Sequence, residues 1–101
     1  MLKNSSMKLL GLRGLMEQNL RSQDFHHAFI YGEKLFNLNP QIDKLYTTLV
    51  NIIGKTNNWH KLIYLTDQSF KYRIIDKKTH ANNKSIAFFE IAKIKYKSSE
   101  Q

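Results

Sequence analysis

Apolar residues recur along this chain in a stripe that is written several times over. Between positions 25 and 36 the stripe is Phe25, Ala28, Phe29, Gly32, Leu35 and Phe36, with glycine as its small member. Between 42 and 53 it is Ile42, Leu45, Tyr46, Leu49, Ile52 and Ile53. Between 59 and 70 it is Trp59, Leu62, Ile63, Thr66, Ser69 and Phe70, where Thr66 and Ser69 are small and semi-polar. Each series follows i, i+3, i+4, i+7, i+10, i+11, which is one side of an amphipathic α-helix and not a strand. Leu9, Leu12, Leu15, Met16 and Leu20 form a similar stripe near the start. In the stretch SIAFFEIAKIKYK the band is doubled: Ile86, Phe89 and Tyr96 lie on one side, Phe88, Ile91 and Ala92 on a neighbouring side, and Ile94 widens it.

Polar punctuation separates the stripes. Ser22 or Asp24 can cap the second helix, and Asn37-Leu38-Asn39-Pro40 ends it, because proline disfavours helix in the residue before it. Asn39 then reads as the N-cap of a third helix with Pro40 at its first position. Gly54 offers a left-handed C-terminal stop, and Asp76 or Thr79 can open the last helix. The pattern therefore predicts helices at 7–21, 24–37, 41–54, 58–70 and 78–97. Short loops make consecutive helices antiparallel, so the expected fold class is all-α, with about five helices in stacked hairpins.

The stripes also repeat in register. Gln23-Asp24-Phe25-His26 falls on Asn57-Asn58-Trp59-His60, and Ala28 on Leu62, at a constant offset of 34 residues. A period of this length marks a solenoid of helical hairpins, each too small to bury its stripe alone. Ala28 and Gly32 are small, which predicts a close approach of the second helix to its neighbours.

Leu12, Leu15, Gln23-Asp24-Phe25, Ala28 and Pro40 resemble a tetratricopeptide repeat, and Tyr46, Leu49, Asn57-Asn58-Trp59 and Leu62 resemble a weaker second copy. The second copy departs from the family at Leu62, where alanine is favoured, and at Ile74, where a closing proline would stand; Gly32 stands where an aromatic is usual. The implied organisation is a single domain over 1–101, with repeats at 7–40 and 41–75 and an unpaired C-terminal helix over 76–101. Leu9-Leu10-Gly11-Leu12-Arg13-Gly14-Leu15 is also similar to a run in the interior of HemY-type proteins, bacterial tetratricopeptide proteins associated with haem biosynthesis. That resemblance implies an interior piece of such a protein, with at most an indirect link to haem synthesis. The membrane helices typical of the family have no counterpart in this sequence.

Composition narrows the chemistry. There is no cysteine, which removes disulfides, thiolate metal sites and cysteine nucleophiles. No run of eighteen apolar residues exists, so the sequence predicts a soluble chain; its compartment stays open, a cytoplasmic one being compatible. The formal charge is +8, with 13 lysines against 3 arginines scattered along the chain. Residues 1–70 hold eight cations and five anions, net +3, and residues 71–101 eight and three, net +5. A basic surface can attract nucleic acid, so a small helical nucleic-acid-binding protein is the alternative function. The scatter of the lysines favours solvated faces instead.

Catalytic signatures are missing from the sequence. It has neither a phosphate-binding glycine loop nor an HExxH motif, and its eight carboxylates form no acid–base pair on one predicted helix face. His26 and His27 diverge by about 100° on a helix, His60 falls one hairpin away from His26, and His80 has no partner near it in sequence. The histidines therefore read as exposed polar residues at helix starts, without metal or cofactor. The expectation is a non-catalytic protein–protein interaction or scaffold module, or else the non-functional remnant of a split gene.

In tetratricopeptide arrays the first helix of each hairpin lines a concave groove, which here implies Arg13, Glu17 and Arg21, then Lys44, Thr47, Asn51 and Lys55, then Lys78. Such a groove suits a protein partner or acidic peptide. Glu17 and Thr48 interrupt the family's carboxylate-clamp pattern. Phe88, Phe89, Ile91, Ile94 and Tyr96 form a second expected surface, for self-association or a partner helix. A membrane-surface role fits less well, because lysines and apolar residues are interleaved there.

Overall fold

The computed structural model describes the backbone of residues 2–99 and the side chains of residues 7–97. Residue 1 and residues 100–101 of the expected 1–101 domain lie outside the described residues. Five helices follow one another: α1 (Leu2–Arg21), α2 (Phe25–Leu38), α3 (Leu45–Thr56), α4 (Trp59–Lys71) and α5 (Lys77–Ser99), with no strand among the described residues. The all-α expectation is met. The chain divides into two compact units, residues 1–56 and residues 57–101.

In the first unit α2 packs on both α1 and α3. The predicted stripe of α2 is its buried side: Ala28, Phe29, Gly32, Leu35 and Phe36 are all buried, while Phe25 is half-buried at the helix start. The stripe of α3 is likewise buried at Leu45, Leu49, Ile52 and Ile53. Met16 is buried on α1. The three helices converge on Gly32. A Cβ there would stand 2.6 Å from Leu49 Cδ2 and 3.0 Å from Met16 Sδ, so glycine leaves these two side chains their present places and any other residue makes them shift.

In the second unit α4 packs on α5. Leu62, Leu65, Thr66 and Ser69 are the buried residues of α4, and Ala87 is fully buried on α5. Leu65 lies outside the predicted stripe, and Phe70, its last member, is exposed enough to serve a different purpose described below.

The helix ends correct three expectations. Asp24 is the cap of α2, its Oδ1 accepting from the His27 N–H at 3.3 Å, and Asp76 Oδ1 accepts from the Thr79 N–H at 2.8 Å at the start of α5. The third helix, however, starts at Leu45 and not at 41. Asn39 Oδ1 accepts from the Gln41 N–H at 3.0 Å, closing a local Asx turn, and Lys44 takes a left-handed φ of 62°; together they hold residues 39–44 out of helix. Pro40 is thus a turn residue and not the first residue of α3. Gly54 lies inside α3 with no positive φ; the left-handed stop falls on Asn57, at φ 56°.

The 34-residue repeat reappears as backbone geometry. Gln23 after α1 has φ 63°, and Asn57 after α3 has φ 56°, each followed by an N-cap position, Asp24 or Asn58. The repeated tripeptides therefore share a left-handed residue just ahead of a helix start. Buried Ala28 and Leu62, and half-buried Phe25 and Trp59, are the corresponding packing positions.

Candidate functional site

Three of the expected groove residues come together in the first unit. Arg13 and Glu17 on α1, with Lys44 before α3, border a pocket of about 190 Å³ whose rim is completed by Asp43 and Thr48. Its floor is apolar: Met16 and Leu20 from α1, Leu35 from α2, Ile42 and Leu45 from the third segment. The late start of α3 leaves Ile42, Asp43 and Lys44 in the preceding turn, and all three line this pocket. Arg13 Nε lies 3.3 Å from Glu17 Oε1 one helical turn away, which holds both side chains along the rim. Thr48 Oγ1 donates to the Lys44 carbonyl at 2.9 Å, fastening the first turn of α3 to the left-handed residue. The rim is mixed in charge, with Arg13 and Lys44 facing Glu17 and Asp43, so the pocket is less cationic than the sequence suggested.

The remaining groove residues do not line this pocket. Arg21, Thr47 and Asn51 are exposed on the first unit. Lys55 is exposed too, and its Nζ lies 5.4 Å from the centre of the Phe25 ring, a cation–π contact at the helix start. Lys78 belongs to the second unit and is exposed near the start of α5.

The second unit contains a cluster that the sequence reading missed. His80 Nε2 lies 2.8 Å from Asp67 Oδ1, Lys84 Nζ lies 3.2 Å from the same oxygen, and the His80 ring stacks on Phe70 at 4.4 Å between centroids. The hydrogen bond from His80 is the main cause that holds the Asp67 carboxyl below its ordinary range, helped by Lys84 and opposed by partial burial. Antiparallel pairing across the 72–76 turn is the signal that could have found it, since it sets residue 67 opposite 80 and 81. The ring's face is taken by Phe70 and its Nε2 by Asp67, so the pair serves to hold α5 against α4. Among the described residues no three potential ligands from His, Cys, Asp and Glu converge on a metal position.

The expected association patch divides between two sides of α5. Ile91 and Ile94, with Lys95, line a cleft of about 170 Å³ beside Asn57, Trp59 and His60 at the start of α4. Phe89 and Tyr96 lie away from that side and are 63% and 65% exposed; Ile86 and Phe88 are exposed as well. No helix among the described residues is long and apolar enough to cross a membrane.

Compared with protein-family models, with curated proteins and with solved structures, the chain finds no match.

Proposed function

We propose that this chain is a non-catalytic protein–protein interaction module of tetratricopeptide character, akin to an interior piece of a HemY-type protein, and that the first unit binds a peptide segment of its partner. The observation that carries this reading is the α1–α3 pocket, an apolar floor of Met16, Leu35 and Leu45 beneath the Arg13 and Lys44 cations. An apolar side chain can enter the floor while a neighbouring carboxylate meets Lys44 or displaces Glu17 from Arg13. Exposed ion pairs such as Arg13–Glu17 are worth less than about 1 kcal/mol, so a ligand carboxylate can compete for the guanidinium. The 34-residue repeat, the Leu9–Leu15 run and the two matching turns support the family reading.

Fluorescence anisotropy with labelled acidic peptides bearing one central Leu or Phe tests it. Binding should weaken about tenfold in Lys44→Glu, corresponding to about 1.4 kcal/mol. Binding that ignores Lys44→Glu and Arg13→Glu, or no binding by any such peptide, contradicts the groove.

A further inference from the structure

The exposed side of α5 has the form of a socket for a helix. Phe89, Ala92, Lys93 and Tyr96, together with Lys97, surround a pocket of about 280 Å³. The first four stand at i, i+3, i+4 and i+7. That quartet is the hole into which one helix receives a side-chain knob from another. Phe89 and Tyr96 are the end walls and Ala92 supplies a shallow base, while the lysine stems form the remaining edge. At about 100° per residue this quartet lies on the opposite face from Ala87 and His80, the residues turned towards α4. Ile86, one turn before Phe89, extends the exposed apolar row.

Charge selects the occupant. Over its length α5 carries Lys77, Lys78, Lys84, Lys93, Lys95 and Lys97 against a single carboxylate, Glu90. That carboxylate is already 3.3 Å from Lys93 Nζ, whose ammonium also lies 5.3 Å from the centre of the Phe89 ring. A second copy of α5 would bring lysine against lysine across the seam. We infer that the Phe89–Tyr96 socket of α5 binds an acidic amphipathic helix of another protein, its apolar knob between Phe89 and Tyr96 and its flanking carboxylates on Lys93 and Lys97. This deepens the interaction-module reading by naming a second partner surface and its chemistry, and it does not depend on the α1–α3 pocket.

The probe is a synthetic 21-residue peptide with Leu at heptad positions a and d and Glu at e and g, compared with the same Leu seam carrying Lys at e and g. Each is titrated into the full ¹⁵N-labelled chain and followed by amide shifts. The acidic peptide should shift amides of residues 86–97 and bind at least tenfold more tightly than the lysine peptide. Lys93→Glu/Lys97→Glu should reverse that preference, and Phe89→Gln/Tyr96→Ser should abolish binding with the helical circular dichroism unchanged. Equal binding of the two peptides, or shifts confined to the first unit, would overturn the socket. So would concentration-dependent dimerisation in sedimentation that Phe89→Gln/Tyr96→Ser removes, because a second copy would then be the occupant. Shifts confined to residues around Arg13 and Lys44 would leave the groove reading standing while this one falls.

Discussion

A methyl group added at Gly32 would meet Leu49 Cδ2 at 2.6 Å and Met16 Sδ at 3.0 Å, and Leu49 is fully buried. A side chain as large as leucine at this position must displace both Leu49 and Met16 from the seam between α1, α2 and α3. Gly32→Leu is therefore expected to destabilise the first unit by about 3 kcal/mol, at the upper end of overpacking costs, even though leucine is the better helix former. Urea unfolding followed by circular dichroism measures this, and a variant as stable as the parent would contradict the close approach. The importance of a small residue here was legible in the sequence, because Gly32, like Ala28, is a small member of the apolar stripe. The role of Asp67 was not, since its partners His80 and Lys84 are brought to it only by the pairing of α4 with α5. Asp67, Asp24 and Asp76 all titrate below the ordinary 3.8 in the folded chain, through His80, the His27 N–H and the Thr79 N–H respectively. A carboxyl held low in the folded state contributes stability above its unfolded pKa and loses it as pH falls through the folded value. Thermal melts from pH 7 down to pH 2.5 should show the midpoint dropping below about pH 4. Asp67→Asn should lower the midpoint at pH 7 and flatten part of that acid limb; an unchanged limb would mean that the Asp67–His80 pair is not formed.

At the scale of the element, periodicity located every helix and most of the buried side of α2 and α3. The ends were harder, because four turns place non-glycine residues in the left-handed region: Gln23, Lys44, Asn57 and Arg73. Composition alone singles out glycine for such a position, which is why Gly54 was expected to stop α3 and Asn57 does so instead. The late start of α3 has the same origin, since the Asn39 turn and Lys44 compete locally with a helix that Pro40 would otherwise have begun. A left-handed residue with a Cβ is strained by roughly 1–2 kcal/mol, and glycine removes that strain at a cost in unfolded-chain entropy of about 0.5–1 kcal/mol. Gln23→Gly should accordingly raise stability by about 0.5 kcal/mol, while Gln23→Ile should lower it by at least that much. A thermal-melt pair in which isoleucine is the more stable would show that the α1–α2 turn has another shape. The sequence marks a doubled apolar band on α5. Only the structure separates Ile91 and Ile94, beside the start of α4, from Phe89 and Tyr96 on the far side.

For the whole molecule, what the chain writes twice is a left-handed residue before a helix and a buried seam; α2 packs its seam on α1 and α3, and α4 packs its own on α5. The net charge of +8 is carried mostly by dispersed lysines, which border apolar surface at Lys44 and at Lys93 and Lys97, where the two proposed partner surfaces lie. Partner identity was not legible, because a groove lined by ordinary surface residues has no signature comparable to a glycine loop or a ligand triad. The account rests on helices packed through the repeated seam, and Gly32 is where that packing is tightest. A nuclear Overhauser spectrum of the intact chain tests it directly. Strong cross-peaks from the Gly32 Hα protons to the Leu49 δ-methyl groups are expected; their absence, with both residues assigned and helical, would contradict the packing of the first unit on which the proposed α1–α3 pocket depends.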